Sequence, residues 1–362
     1  MEEDDRWMHR CLELARKGAG STAPNPLVGA VLVGQDRILA EGWHHAWGRP
    51  HAEVECLRAF GEGQTPMDAT LYVNLEPCSH HGKTPPCADT LIARGVRRVV
   101  VAHRDPNPLV AGKGLARLRA AGVEVVEGVC EDEAKWLNRR FFTLHEEGRP
   151  YVVLKWARSA DGFLDDHGRT ARISSADTDV LVHRWRSEEQ SILVGGRTVM
   201  NDDPQLTVRL VDGRSPVRIV LDRIRRTAPT SRVYDGTAPT LLVTEVPDGP
   251  HEAGIILHPS GPDLESTLEL LLRKELAFDG YMAQFGLPPI ASIFVEGGAT
   301  VLRAFMATGL WDEARVITGA TRFGAGTASP VLEQVPIRTL QIGPDRIDLF
   351  SRTTSPPLTW SW

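Results

Sequence analysis

Pro50-His51-Ala52-Glu53-Val54 is the stretch on which the reading of this chain turns, and Pro77-Cys78 and Pro86-Cys87 answer it downstream. His51 and Glu53 stand two apart, so one can hold a metal while the other acts beside it. Cys78 and Cys87 add two thiolates, soft ligands suited to zinc. One His and two Cys leave the fourth position of a tetrahedral zinc open to water, whose pKa the metal lowers towards neutrality. Glu53, a carboxylate left unbound, can then carry a proton from that water to a leaving group. The bland alternative is a set of polar residues scattered over surface loops, with a cysteine or two in the core. Four residue types in this order, with a proline directly before each cysteine, weigh against it.

Composition bounds what surrounds that stretch. The 362 residues exceed one average domain and predict two, at 1–146 and 150–362, joined by Glu146-Glu147-Gly148-Arg149-Pro150. With 42% hydrophobic and 24% charged residues the composition is that of a soluble globular protein. A net charge of −6 argues against a large nucleic-acid surface, which needs clustered Lys and Arg. No apolar run approaches the ~18 residues of a membrane span. Met1-Glu2-Glu3-Asp4-Asp5 is acidic and lacks the apolar core of a secretory signal. Five cysteines are too few, and odd in number, for a disulfide framework, and a reducing cytoplasm keeps Cys78 and Cys87 as thiolates. The expectation is a cytoplasmic homo-oligomer, dimer or tetramer, acting on small molecules without nucleic-acid or membrane partners.

Periodicity predicts a helix at 6–18, with Met8, Cys11, Leu12 and Ala15 on one face, and a strand at 30–33 turning near Gly34-Gln35-Asp36. Asn25, between two prolines, is either a turn former or a residue reaching into a pocket. A helix at 51–60 puts Ala52, Cys56 and Phe60 on one face and turns His51 and Glu53 towards its start. The strand 69–75 delivers Glu76-Pro77-Cys78 at its carboxyl end, where open α/β sheets place their sites. Helix 88–95, strand 99–102, helix 115–121, strand 123–126 and helix 131–143 follow, an alternation that predicts helices packed on a largely parallel sheet. Between the cysteines a compact zinc knuckle has C-x-x-C, whereas here Ser79-His80-His81-Gly82-Lys83-Thr84-Pro85-Pro86 intervenes. Those polar and cationic groups point to a substrate larger than a free base, carrying a phosphate, or else to a solvated loop. Asp105-Pro106-Asn107-Pro108 is a candidate wall of the same site.

The second half repeats the α/β pattern without repeating the sequence. Strands are predicted at 151–156, 191–194, 217–221, 241–244, 254–257, 292–295, 314–318, 338–342 and 347–351, with helices at 175–188, 264–276 and 300–309 and an irregular tail at 355–362. Glu296-Gly297-Gly298 ahead of a helix could cradle a phosphate on bare amides or serve as a packing turn; it is not a Rossmann fingerprint. Asp202-Asp203-Pro204 could be a turn, and Arg209 a surface ion pair.

As a set these residues match a family. H-x-E followed by P-C and C is the signature of zinc nucleobase deaminases. The chain more closely resembles the bifunctional riboflavin-biosynthesis family, which joins a pyrimidine deaminase to a pyrimidine-ribosyl reductase. The blocks that carry the resemblance in the first half are Pro50-His51-Ala52-Glu53, Leu75 through Cys87, and Asp105-Pro106-Asn107-Pro108. In the second half they are Asp161-Gly162, Gly196 through Arg209, and Val295-Glu296-Gly297-Gly298, and the likeness runs from Pro24-Asn25-Pro26 to Gly343-Pro344-Asp345. It implies an α/β protein with a three-layer cytidine-deaminase-like domain followed by a dihydrofolate-reductase-like α/β domain. It implies two consecutive reactions: deamination of a diamino-phosphoribosylaminopyrimidinone, then NADPH-dependent reduction of the ribosyl group of the resulting uracil to ribityl.

The resemblance also implies residue roles. His51, Cys78 and Cys87 would be the zinc ligands, Glu53 the proton shuttle, and Lys83 and Asn107 substrate contacts. Cofactor contacts would fall on Ala157, Arg172, Thr198, Asp202, Arg223 and the turn Gly298, Ala299, Thr300, Val301, Leu302, Arg303 and Ala304. Substrate contacts would fall on Thr170, Arg186, Leu206, Arg209 and Glu296, with Lys155 and Asp202 nearest the hydride transfer. Arg186 and Arg209 make chemical sense as a clamp on the substrate phosphate, because a guanidinium fork matches phosphate oxygens. Arg172 stands where many members have Trp, a charge in place of a flat apolar surface, and Arg158-Ser159-Ala160-Asp161-Gly162 replaces a Ser-Leu-Asp-Gly run. Two rival readings share the motifs: a nucleic-acid base deaminase, which the acidic charge opposes, and a deaminase carrying an inactive C-terminal binding module. NADPH and NADH are not distinguished at this level.

Overall fold

The computed structural model describes residues 2–79, 85–108, 110–246, 256–257, 263–273, 282 and 286–352. Lys83 and the tail 355–362 lie outside them, and of the strand expected at 254–257 only Ile256–Leu257 is described. The chain divides into two compact units between Glu147 and Gly148. No helix of the described residues is long and apolar enough to cross a membrane.

The first unit runs α1 (Glu2–Arg16), β1 (Gly29–Gly34), β2 (Arg37–Trp43), α2 (Ala52–Phe60), β3 (Thr70–Leu75), α3 (Cys87–Ala93), β4 (Arg98–His103), α4 (Lys113–Ala120), β5 (Glu124–Glu127), α5 (Glu131–Leu137) and α6 (Arg139–Glu146). Its sheet has the order β2-β1-β3-β4-β5. β3, β4 and β5 are parallel, while β1 runs antiparallel to both of its neighbours. The sheet is therefore mixed rather than largely parallel. Gln35 and Asp36, with φ of 50° and 52°, close a two-residue hairpin that only antiparallel strands can share. Strand alternation separates two cores. Val31, Val33, Tyr72, Val100 and Ala102 pack with α1 and Ala134 of α5, whereas Leu32, Leu71, Val73, Val99 and Val101 pack with α2, α3 and α4. The result is three layers.

The helix expected at 131–143 is two helices, because Asn138 interrupts it to serve a neighbour. Its Oδ1 accepts from the Leu27 amide at 2.7 Å and its Nδ2 donates to the Leu27 carbonyl at 2.9 Å. Asn74 holds the same segment, accepting from Gly29 N at 2.8 Å and donating to Leu27 O at 2.9 Å. Two buried amides thus fix the run from Leu27 to Gly29, directly after Asn25.

The second unit runs β6 (Tyr151–Arg158), α7 (Ala176–Glu188), β7 (Ser191–Gly195), α8 (Gly196–Asp202), β8 (Val217–Leu221), β9 (Thr240–Val243), β10 (Ile256–Leu257), α9 (Leu264–Leu272), β11 (Ser292–Val295), α10 (Ala299–Thr308), β12 (Glu313–Thr318), β13 (Arg338–Ile342) and β14 (Asp345–Ser351). Its described strands form one sheet in the order β10-β9-β8-β7-β11-β6-β12-β14-β13, parallel up to β12 and closed by the antiparallel pair β14 and β13. Val152, Leu154 and Trp156 of β6 pack with α9 and α10 on one face, and Tyr151 and Val153 pack with α7 on the other. The carboxyl ends of β6, β7 and β11 lie side by side, where a doubly wound sheet offers a crevice. The sequence pattern did not predict α8, since two glycines at its start read as a loop.

Candidate functional site

In the first unit three elements converge at the carboxyl end of β3. Cys78 follows that strand, Cys87 opens α3, and His51 precedes α2 with an extended backbone and no side-chain cap bond, leaving its ring to turn elsewhere. His51 Nδ1 lies 3.6 Å from Cys78 Sγ and 3.3 Å from Cys87 Sγ. All three ligand atoms fall within 4.8 Å of one another. Four-coordinate zinc with Zn–S near 2.3 Å and Zn–N near 2.1 Å places its S and N ligands roughly 3.5 Å apart, so the cluster fits zinc. The Cys87 amide donates to Cys78 Sγ at 3.3 Å. The Cys87 thiol and the His51 ring pull the Cys78 thiol well below its ordinary value, favouring a thiolate.

Glu53 sits in the first turn of α2, only 3% exposed, and lines the same hollow without belonging to the ligand cluster. Burial pushes its carboxyl up to about 7, with Cys78 adding to the rise, so near neutral pH it can both take and return a proton. Asn25, His44, Asp105, Asn107 and Phe141 complete the wall. Asn25 is therefore a pocket residue. Its amide nitrogen meets His44 Nε2 at 3.2 Å, while His44 Nδ1 meets the Pro50 carbonyl at 3.0 Å. The sequence marked Asp105 and Asn107 by their proline-framed loop; His44 and Phe141 had no signal beyond their residue type.

That loop is tied down by Glu76. Its buried carboxylate accepts from Gly112 N at 2.8 Å and Gly114 N at 2.9 Å, and at 3.3 Å from both Asp105 N and Leu115 N. Gly114 runs so close to β3's extension that a Cβ there would lie 1.9 Å from the Pro77 carbonyl oxygen. Gly114→Ala should accordingly destabilise the first unit by about 1–3 kcal/mol through overpacking. Thermal unfolding of the full chain checks this, and an unchanged first transition would mean that the backbone yields there without strain.

In the second unit Lys155 on β6 and Glu296 after β11 meet at 3.3 Å. Arg186 of α7 grips the same carboxylate, Nε to Oε1 at 2.6 Å and Nη2 to Oε2 at 3.0 Å. Burial would raise the Glu296 carboxyl, but Arg186 and Lys155 outweigh it and hold it at about 2. Of the two arginines expected to clamp the substrate phosphate, Arg186 lies against Glu296 and Arg209 beside Thr207. Arg186 is committed to Glu296, and its Nη1 donates to the Thr207 carbonyl at 3.3 Å. The Arg209 guanidinium donates through Nη1 to Thr207 Oγ1 at 2.7 Å and has no carboxylate in ion-pair range among the described residues.

Thr170, Thr198, Asp202, Gly298, Ala299, Thr300 and Val301 line one groove, with Thr170 Oγ1 donating to the Asp202 carboxylate. A Cβ on Gly298 would lie 3.2 Å from Thr198 Oγ1, and one on Gly195 would lie 3.0 Å from a Val301 methyl, so bare backbone forms the groove at the start of α10. Such a cradle of amides at a helix N-terminus suits a phosphorylated cofactor. The side chains of the other expected contacts have these surroundings. Leu302 and Ala304 point into the core, because α10 buries one face, and Arg303 donates to the Ala328 carbonyl at 2.7 Å. Leu206 is core, with φ of 58°. Ala157 packs against that same core. Arg172 pairs with Asp179 at 2.6 Å, two-thirds exposed, while Ala171 faces the groove in its place. Arg223 lines a neighbouring hollow with Arg226, Thr244 and Glu245, which Thr300 shares with the groove. Arg226 and Thr244 were not anticipated.

Residues 150–353 match the family model of the RibD C-terminal domain, and residues 1–103 match the cytidine and deoxycytidylate deaminase zinc-binding region. The riboflavin biosynthesis protein RibD of Aquifex aeolicus is 40% identical over 97% of this chain and 99% of its own length. That of Escherichia coli is 39% identical over 86% of each. Among solved structures, a diaminohydroxyphosphoribosylaminopyrimidine deaminase/5-amino-6-(5-phosphoribosylamino)uracil reductase from Thermotoga maritima superposes with a TM-score of 0.84 at 35% identity, covering 97% of this chain and 99% of its own. RibD from Acinetobacter baumannii superposes with a TM-score of 0.83 at 35% identity, covering 98% of this chain and 99% of that one.

Proposed function

The chain belongs to the RibD family of riboflavin-biosynthesis proteins, and from that we propose that its first unit deaminates diaminohydroxyphosphoribosylaminopyrimidine and its second reduces 5-amino-6-(5-phosphoribosylamino)uracil with NADPH. The observation that carries the reading is the meeting of His51, Cys78 and Cys87 around one point, with the buried carboxyl of Glu53 beside them and outside the ligand set. His51, Cys78 and Cys87 would hold the zinc. When bound, zinc lowers the pKa of a water and so supplies the nucleophile. Glu53, buried beside the three ligands, would take a proton at its carboxylate and return it to the leaving amine. Asn25, Asp105 and Asn107 orient the pyrimidine through its donor and acceptor edges, and the hollow's burial keeps that contact from bulk water. Lys83, in the loop between the cysteines, is a candidate partner of the substrate phosphate.

In the second unit Thr198 and Gly298 through Val301 would receive the cofactor at the start of α10, where backbone amides favour anions. NADPH supplies the hydride. Arg223 and Arg226 face the adjoining hollow and would read the 2′-phosphate, favouring NADPH over NADH. Glu296 holds the Lys155 ammonium in place beside the crevice, so that it can meet a ribosyl oxygen. Arg209, lacking a carboxylate, would take the substrate phosphate.

The test uses the full chain loaded with zinc. Ammonia release from the phosphoribosylated diaminopyrimidine, followed by oxidation of NADPH faster than NADH once the deaminated product accumulates, is the expected result. Ammonia release without any product-dependent NADPH oxidation would leave the second unit a binding module. No ammonia release from the zinc-loaded chain would overturn the first assignment.

A further inference from the structure

We infer that His183 is a positioning residue of the reductase reaction, holding the segment Thr207–Arg209 so that the Arg209 guanidinium meets the substrate phosphate. The inference rests on the reading of Arg209 as the phosphate contact. α7 presents His183 and Arg186 three residues apart, on one face of the helix. Both reach the same segment. His183 Nδ1 accepts from the backbone N–H of Arg209 at 2.8 Å, and Arg186 Nη1 donates to the carbonyl of Thr207 at 3.3 Å. Within the segment Arg209 Nη1 donates to Thr207 Oγ1 at 2.7 Å, and Val208 N donates to Ser215 Oγ at 3.1 Å. Leu206, buried with φ of 58°, turns the chain into it.

A buried imidazole is an unusual acceptor for a backbone amide, and the bond constrains its state. Nδ1 can accept only if it carries no proton, so the ring must be the neutral tautomer protonated at Nε2. The surroundings enforce this. His183 is 5% exposed, and burial with the Arg186 and Arg209 guanidinium groups beside it draws its pKa down to about 4, against weaker pulls from Glu296 and Asp179. The acceptor is therefore present at any working pH. Arg186 is neutralised by Glu296, whereas Arg209 has no carboxylate in range among the described residues, so one uncompensated cation is left on a backbone that His183 anchors. Any phosphate gripped by that guanidinium depends on where the anchored amide sits.

The variants His183→Ala, His183→Asn and His183→Gln, made in the full chain, test this by steady-state reductase kinetics with the phosphorylated uracil substrate and with its dephosphorylated ribosylamino counterpart. Loss of the acceptor in His183→Ala should raise KM for the phosphorylated substrate about tenfold, the size of one lost buried hydrogen bond. KM for NADPH and for the dephosphorylated substrate should stay nearly level. Asn places Oδ1 where Nδ1 stands and should restore most of the affinity, while Gln, whose acceptor sits one bond further out, should not. In an Arg209→Ala background His183→Ala should add nothing, since the coupled pair has lost its acting member. Equal losses for both substrates, a full His183→Ala effect persisting without Arg209, or no rescue by Asn would each overturn the inference and leave His183 a packing residue. If Arg209→Ala itself leaves KM for the phosphorylated substrate unchanged, the phosphate reading of Arg209 falls, and the inference with it.

Discussion

Glu53→Gln should retain its zinc and lose ammonia release by roughly 10²- to 10⁴-fold, the usual contribution of a positioned acid–base group. The amide keeps the shape of the carboxyl but has no proton to exchange at working pH. With the residue 3% exposed, bulk water has little room to take over the transfer. His51, Cys78 and Cys87 form the cluster without it, so metal content should stay near one equivalent, and the second unit should still oxidise NADPH when given the deaminated substrate. Metal analysis, ammonia release and NADPH oxidation on one preparation separate these effects. A variant that deaminates at near the parental rate would show that the proton travels by another route. A variant that loses metal would show that the carboxylate is needed to build the site.

Glu296→Gln should be the most damaging single change in the second unit. Among the described residues the carboxylate is the one counter-charge in ion-pair range of Lys155, and it takes a two-bond grip from Arg186. Removing one partner of a buried ionic group typically costs about 3–5 kcal/mol, because the cations are left without compensation. Reductase turnover should fall with it, since Lys155 loses the group that holds it. The effect of pH follows from the depressed carboxyl. Folded, Glu296 titrates at about 2 against an ordinary 4.5, so its stabilisation is fully present above the ordinary value and fades as pH falls through the folded one. Denaturant unfolding of both proteins at about pH 6 and about pH 3 should therefore show the gap between them narrowing in acid. A gap of the same size at both pH values would point to packing rather than charge.

The His/Cys cluster is readable from the sequence because zinc chemistry restricts residue type so strongly. Few residues can be ligands, and a carboxylate beside them has few other uses, so order along the chain was enough to single out His51, Glu53, Cys78 and Cys87. The reductase residues were less legible for a physical reason. Arginine is equally suited to a phosphate and to a carboxylate, and nothing near Arg186 in sequence reveals that Glu296, 110 residues away, occupies it. The same holds for the run after Gly298. A helix buries one side whatever its family role, so Leu302 and Ala304 go to the core, Thr300 faces the groove, and Val301 borders both.

Local pattern and chemistry were sufficient for the class of fold, the presence of two units and the members of the His/Cys cluster, since hydrophobic periodicity and residue chemistry are properties of short stretches. Long-range pairing was not within their reach. That β1 runs against β3, that Asn138 breaks a helix to hold Leu27, that Asn25 faces a pocket and that His183 takes the amide of Arg209 each depend on groups distant in sequence. Buried donors, acceptors and charges must find partners wherever the folded chain brings them, and only the assembled core settles which ones they are.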